Sequence, residues 1–426
     1  MYSRLTVALG LCALLGGGAA RADDSDAGRF SLSGFATLGV VHSSEHLADF
    51  VGTISQPTGA GASHDWDYAP DSKLGLQLDA RLTERLTAVV QVVAQHQYDN
   101  SFAPQLEWAN LRLRLTPDLS VRAGRIALPI FMVSDTRLVG YANPWLRPPP
   151  EVYNTVPITN NDGIDVTWQG ARAGTTTTLQ LIAGRAEHDF PTGVDVMARR
   201  TVGGNITVER GATALHLHYT SATLTLTSPT IDQLFNGYTA LGQSLEAIPP
   251  LAPVGAQALA LVNGYRPVDK AYSALSLGFN YDPGGWFATG EWVGEHIGVT
   301  TTDGRSAYAT LGVRIRSLTP YLTFATVALR ARDQPALPTT ALPAPLDAAM
   351  AQLNYGFEHG LNGFWGAEHS WSGGLRYELM RNADLKLQLD HITPNAGSDS
   401  FEVDRLPAFT PGKTVNVIGV GVDFVF

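Results

Sequence analysis

The chain has 426 residues, 29 basic against 39 acidic, for a formal net charge of −10. That balance argues against nucleic acid as a partner, because nucleic-acid surfaces need clustered basic residues. The only cysteine, Cys12, leaves neither a disulfide framework nor a thiolate metal site.

In chain order, the first element is a targeting signal. Met1-Tyr2-Ser3-Arg4 is a basic start, residues 5–18 are apolar or small, and Ala20-Arg21-Ala22 offers a small-x-small cleavage site before Asp23. The run is too short to span a bilayer, so residues 1–22 read as a cleaved secretory signal peptide. Removing them takes away Arg4 and Arg21 and no acid, leaving 27 basic and 39 acidic residues, a net charge of −12.

Beyond residue 22 no apolar run is long enough for a membrane-spanning helix. Mean hydropathy is near zero although 44% of residues are hydrophobic, so apolar and polar residues are interleaved. The interleaving has a period of two, the signature of strands with two unlike faces. After a first strand at 29–41, Leu74, Leu76, Leu78, Ala80 and Leu82 alternate with Lys73, Gln77, Asp79 and Arg81. Leu86, Ala88, Val90, Val92 and Ala94 follow beyond a turn at 83–85, opposing Thr87, Gln91, Gln95 and Gln97. Ala109, Leu111, Leu113 and Leu115 oppose Asn110, Arg112 and Arg114, and Thr116-Pro117-Asp118 turns the chain into 119–125. The rhythm returns at 162–169, 175–186, 199–209, 212–226, 271–281, 286–296, 307–316, 321–330, 365–380, 384–392 and 413–426. These make about 16 strands, with 14 or 18 allowed by the weaker alternation at 175–186 and 321–330.

The connections alternate in length. Tight turns are expected at 83–85, 116–118, 170–172, 209–211, 282–285, 318–320 and 381–383. Long segments are expected at 43–70, 126–161, 188–198, 228–270, 332–364 and 393–412. An up-and-down meander with one plain end and one elaborated end fits a membrane barrel better than a soluble sandwich, whose strands are shorter. In lipid an open sheet edge cannot be satisfied, so the sheet must close, with the Leu/Val/Ala parity on acyl chains and the Arg/Gln/Asp parity on water. Trp66, Tyr68, Tyr98, Trp168, Tyr219, Tyr281, Trp286, Trp365 and Phe424 fall near strand ends, where aromatic girdles belong. The last strand puts Ile418, Val420, Val422, Phe424 and Phe426 on lipid and Gly419, Gly421 and Asp423 on water, and must pair with 29–41.

Taken together, the signal segment, the paired strands, the alternating turns and loops and the terminal Phe426 resemble the Gram-negative outer-membrane porins along the whole of 23–426. VRAGRIALP (Val121–Pro129) resembles the Gly-Arg…Pro step into the third loop of that family. The resemblance implies a transmembrane antiparallel β-barrel in which residues 126–161 fold inward and narrow the pore. It also implies a homotrimer, contact with lipid and lipopolysaccharide, and Phe426, with Phe424, as the signal read by barrel-assembly machinery. The PEFGG-type sequence of enterobacterial general porins is absent, and the second loop is short.

Candidate pore residues follow from position. The 126–161 connection carries Asp135, Arg137, Arg147 and Glu151, and six prolines that favour a stiff, extended path. With Pro117 at the turn centre, Arg112 faces Arg122, with Arg114 one step below and Arg125 beyond. Arginines facing Asp135, Glu151 and Asp162 would set a transverse field across the pore; the alternative is solvated arginines at the barrel end. Glu378 and Lys386 read as a salt bridge across the turn at Asn382. His216 and His218 share a face near His188, Asp189 and Asp195 without a nucleophile elbow or zinc motif, so they read as lumen lining. The stretch 64–71 is acidic but lacks the glycine and glutamate of an EF-hand, and reads as a solvated outer loop. Residues 228–265 read as a short helix over the mouth or a mobile segment.

No cofactor or metal is called for, and no enzyme is expected. The sequence reads as a channel for passive diffusion of small hydrophilic solutes or ions, leaning to anions through Arg112, Arg122 and Arg125. The competing readings are an outer-membrane barrel enzyme and a plugged binding or adhesion barrel.

Overall fold

A computed structural model describes residues 28–300, 302–331, 336–338, 344–362, 366–395, 402–403 and 405–426. The expected signal peptide and Trp365 lie outside the described residues. The first strands are β1 (Phe30–Ser43), β2 (Lys73–Arg81), β3 (Leu86–Gln95), β4 (Gln105–Arg114) and β5 (Leu119–Ala127). Next come β6 (Asn160–Arg172), β7 (Thr175–Phe190), β8 (Val194–Arg210), β9 (Thr213–Thr227), β10 (Lys270–Tyr281) and β11 (Trp286–Ile297). The set ends with β12 (Thr302–Val313), β13 (Leu318–Ala331), β14 (Ala367–Met380), β15 (Ala383–Pro394) and β16 (Val415–Val425). The helices are α1 (Pro150–Tyr153), α2 (Pro229–Glu246), α3 (Ala252–Tyr265) and α4 (Ala344–Asn362). No helix among the described residues is long and apolar enough to cross a membrane.

Each long strand pairs antiparallel with its sequence neighbours, and β16 returns to β1, with Leu38 opposite Val422 and Ala36 opposite Phe424. Beyond the last ladder residue, Gly34 and Phe426 exchange two backbone hydrogen bonds, of 2.9 and 3.0 Å. Closure leaves the main sheet with no free edge, so its backbone donors and acceptors are satisfied without water. The outward parity is apolar: Leu38, Leu76, Leu111, Ile164, Leu181, Leu215, Leu311, Leu322 and Leu389 are all exposed. The aromatic residues Trp66, Tyr68, Trp168, Tyr219, Tyr281, Trp286 and Phe424 are exposed as well.

Several boundaries differ from the sequence reading. The expected loop at 188–198 is strand, because β7 and β8 continue to a three-residue connection, Pro191–Gly193. The turn expected at 318–320 falls earlier, and Pro320 sits in β13 opposite Leu375. The turn expected at 170–172 lies at Ala173 and Gly174, both at positive φ. Local alternation continues through these residues, so it does not fix where the chain reverses.

The extra length of β7–β9 has a physical reason. On β9, Leu215, Leu217 and Tyr219 face outward while His216, His218 and Thr220 face inward. Above Tyr219 the pattern inverts: Leu224 and Leu226 are buried inside, and Ser221, Thr223 and Thr225 lie outside. There the sheet is apolar on its inward face and polar on its outward face, and it has its own apolar core.

Helices supply the other half of that core. α2 starts at Pro229, whose missing N–H costs nothing in a first turn, with Asp232 beside the positive end of the helix dipole. Ile231, Phe235, Tyr238, Gly242 and Leu245 repeat at helical spacing and are buried. α3 packs on α2, and Met350 and Phe357 of α4 complete a cluster that includes Leu224, Leu226 and Ile297. Residues 228–265 are thus two helices, and α4 lies within the long segment expected at 332–364.

Candidate functional site

The connection from β5 to β6, residues 128–159, crosses the barrel interior. It holds two short turns, Ser134–Thr136 and Gly140–Ala142, and then α1, which opens on Pro150. Leu128, Ile130, Phe131, Trp145, Val152 and Tyr153 pack against inward residues of β7 and β11–β13, among them Ile182, Phe287, Val293, Tyr308 and Tyr321. Bringing this apolar patch off the backbone of a polar lumen needs anchors, and the wall provides them.

The backbone N–H of Met132 donates to Glu291 at 3.0 Å, and Trp145 Nε1 donates to Thr310 and Thr323 at 2.9 and 3.1 Å. The N–H of Leu146 donates to Gln388 Oε1 at 3.0 Å. Lys386 Nζ donates to the carbonyls of Gly140, Asn143 and Trp145 at 2.7, 2.8 and 3.0 Å and lies 2.8 Å from Asp423 Oδ2. Thr37 hydrogen-bonds the other oxygen of Asp423. Arg147 donates twice to Asp71, at 2.9 and 2.7 Å, and once to Asp390 at 2.7 Å. Its side chain is 4% exposed. A buried guanidinium is tolerable only when its donors are satisfied in this way.

The residues singled out in the sequence fall into three groups. Arg112, Arg114 and Arg122 lie on the inward row of β4 and β5; Arg112 pairs with Arg122, and Arg114 with Ser120. Arg112 and Arg114 are exposed, whereas Arg122 is half-buried and donates to Asp165 at 2.6 Å. Asp135, on the first turn of the connection, is exposed toward this wall. Enclosure by loop and wall raises its carboxyl pKa above the usual range, Arg122 pulls it down and Asp165 pushes it up.

The second group is anchorage rather than open lining. Arg137 donates to the carbonyls of Val156 and Tyr153, at 3.0 and 2.6 Å, within its own loop. Burial lowers its pKa to about 10. Arg147 is the clamp described above, and Glu151 is buried in α1. These charges were expected to face solutes, but packing has used them.

The third group is a cross-strand ion pair. Arg125 and Asp162 pair across β5 and β6 on the parity of Leu111 and Ile164, the outward row, with two hydrogen bonds of 2.7 and 2.8 Å. Neither continues the inward row of Arg122 and Asp165.

Other expectations change as well. Glu378 lies opposite Asp384 and Lys386 opposite Arg376, because a bulge between Glu378 and Met380 shifts the register. The expected Glu378–Lys386 bridge is therefore not made; Glu378 meets Arg376 at 2.8 Å. The acidic stretch 64–71 is not wholly solvated, since Asp67 and Asp71 are buried, the latter under Arg147. His216 and His218 line the inward row, with His216 Nδ1 3.1 Å from Thr207 Oγ1. Ser55 Oγ lies 2.6 Å from His188 Nε2 near the mouth, a contact no local pattern signals. Lys386, Asp71, Asp390 and Asp423 were missed as anchors; their partners lie far away in sequence.

No family model matches the chain, and no curated protein matches it. Solved structures do. An anion-selective porin from Comamonas acidovorans is 13% identical, with a TM-score of 0.51, over 93% of this chain and 99% of that one. The outer membrane channel DcaP of Acinetobacter baumannii is 13% identical with a TM-score of 0.52, over 93% and 97%. OmpF of Salmonella typhi, in a complex with daunomycin, is 12% identical with a TM-score of 0.52, again over 93% and 97%. The closed barrel of sixteen antiparallel strands thus has the fold of the outer-membrane porins.

Proposed function

We propose that the chain is an outer-membrane channel that passes small hydrophilic solutes by passive diffusion. The observation that carries this reading is the pairing of an exposed apolar outer belt with an inward row where Arg112 and Arg114 stay exposed across from the crossing loop. An outward charge at the bilayer midplane would cost roughly 2–4 kcal/mol, so the apolar belt marks the lipid level. The tight turns then lie in the periplasm and the helix-capped loops outside the cell. The crossing loop forms the constriction, with Arg112, Arg114 and Arg122 on one side and Asp135 on the other. A net excess of free cations there favours anions, in line with the charge logic of selectivity rings.

Assembly as a homotrimer, lipopolysaccharide at the outer loops, export by residues 1–22 and recognition of Phe424 and Phe426 by assembly machinery belong to the same proposal. Purified protein in a planar bilayer should give steady conductance and, in a salt gradient, a reversal potential on the anion side. Absence of conductance from folded protein overturns the channel reading. A hydrolytic role would start from Ser55 and His188; ester hydrolysis abolished by Ser55→Ala would support it.

A further inference from the structure

Above Tyr219 the wall turns its apolar parity inward, and a space lies against it. Between that wall and the crossing loop is a chamber of about 680 Å³. Val196, Ala198, Leu224 and Leu226 bound it on the strand side, and Ile130, Val156 and Ile158 on the loop side. Ile54 and Pro57 of the β1–β2 connection and Val403 lie against it as well. Ala198, Leu224 and Leu226 belong to the cluster packed under α2–α4, which holds the shape of this wall.

The fate of the polar groups in the lining decides what the chamber suits. The hydroxyls of Thr155, Thr192 and Thr220 donate to the backbone carbonyls of Val152, Pro191 and Val202. Tyr272 donates to Glu295 at 3.0 Å, and the Tyr98 hydroxyl faces Asp189. The hydroxyls of Thr201 and Thr300 are buried in the wall itself. Among the described lining residues the one charged side chain is Arg405, which is exposed and stacks on Phe409 with its guanidinium 5.4 Å from the ring centre. The adjoining polar pocket, of about 310 Å³, is unlike this: its described lining holds four acids and four bases, and so favours neither sign of ion.

An ion entering the chamber would give up hydration and find no counter-charge. Water there finds few hydrogen-bonding partners, so an uncharged apolar body displaces it favourably. The volume is that of a pocket for a small organic molecule. We propose that the chamber binds small uncharged, predominantly aliphatic molecules and discriminates against ions of either sign. This goes beyond the channel reading and stands without it, because the binding is measured without conductance.

The test is calorimetric titration of the protein in lipid nanodiscs, with empty nanodiscs subtracted, using cyclopentanol, cyclohexanol, cycloheptanol and cyclooctanol. Binding should saturate at a single site per chain, and affinity should rise up to about fourfold per methylene, the transfer free energy of one buried CH₂. Cyclohexanecarboxylate and cyclohexylammonium should each bind at least about tenfold more weakly than cyclohexanol, because neither charge is compensated in the chamber. Ala198→Trp, which fills the chamber, should abolish the dependence on ring size. Ala222→Trp, at a half-buried position, is the second filling variant should the first fail to fold. Val196→Asp should weaken cyclohexanol and make the ammonium compound bind better than the carboxylate, a change of preference that misfolding would not produce. Affinity independent of ring size, either ion binding as tightly as cyclohexanol, or an unchanged slope in the filled variants would overturn the proposal.

Discussion

Two arcs of the lumen wall carry the same alternation and serve opposite ends. On β14–β16, Lys386, Asp384 and Asp423 are fully buried and Arg376 is half-buried, bonded to one another or to the crossing loop. On β4 and β5, Arg112 and Arg114 stay exposed. Both arcs read as polar-inward strands, so period two tells which side faces the axis. It does not tell whether water or protein fills the space there. What separates them is the loop, which leans its carbonyls and Arg147 on one arc and leaves the other free. Charges under the loop hold structure; Arg112 and Arg114, across from it, stay exposed.

Three experiments test that division. The largest effect is expected from Arg147→Ala, which leaves Asp71 and Asp390 buried without their partner. Breaking such a pair costs about 3–5 kcal/mol. The loop should come away, giving larger and noisier single-channel currents and a lower melting temperature. An unchanged current would mean that the clamp does not set the loop's place.

A middle effect is expected from pH. Burial in α1 raises the Glu151 pKa to about 7, with Ser370 pulling it down and Asp390 pushing it up. A carboxyl raised by docking favours the docked loop while it is protonated. Docking should therefore be firmest in acid, weaken as pH climbs from the ordinary carboxylate range through about 7, and level off above that. Current noise recorded from pH 4 to pH 8, roughly the span of that titration, reads the change, and Glu151→Gln should flatten it.

The smallest effect on stability is expected on the open arc. Arg112→Ala with Arg114→Ala should move the reversal potential toward cations, while stability shifts stay within about 0.5 kcal/mol for each of these exposed residues. The shift in selectivity should shrink near 1 M salt, where the screening length falls to about 3 Å. A reversal potential that does not move would take these arginines out of the filter.

Much of the frame is legible in the sequence. Thr116-Pro117-Asp118 places Arg112 opposite Arg122, and the terminal stripe of Ile418 to Phe426 is the outward face of the closing strand. These are local facts, set by side-chain parity and turn position. The failures share a cause of the opposite kind. The bulge after Glu378 moves one register and turns an expected salt bridge into anchorage. Asp71 sits in a stretch that looks solvated until an arginine 76 positions away covers it. Each depends on what stands across the barrel, which periodicity along one strand does not record.

The glycines of the last strand carry a consequence for the order of events during biogenesis. A Cβ on Gly419 would lie 2.6 Å from Arg147 and 2.7 Å from Leu146, so this strand is left bare where the loop comes to rest. Leu146 and Arg147 bond residues 242 and 243 positions further along, on β15. The lumen loop is therefore made early and seated late: its berth does not exist until the final strands have been laid down. A barrel still open at the β1–β16 seam would hold that loop unmoored, so the loop takes its place only after the wall is complete.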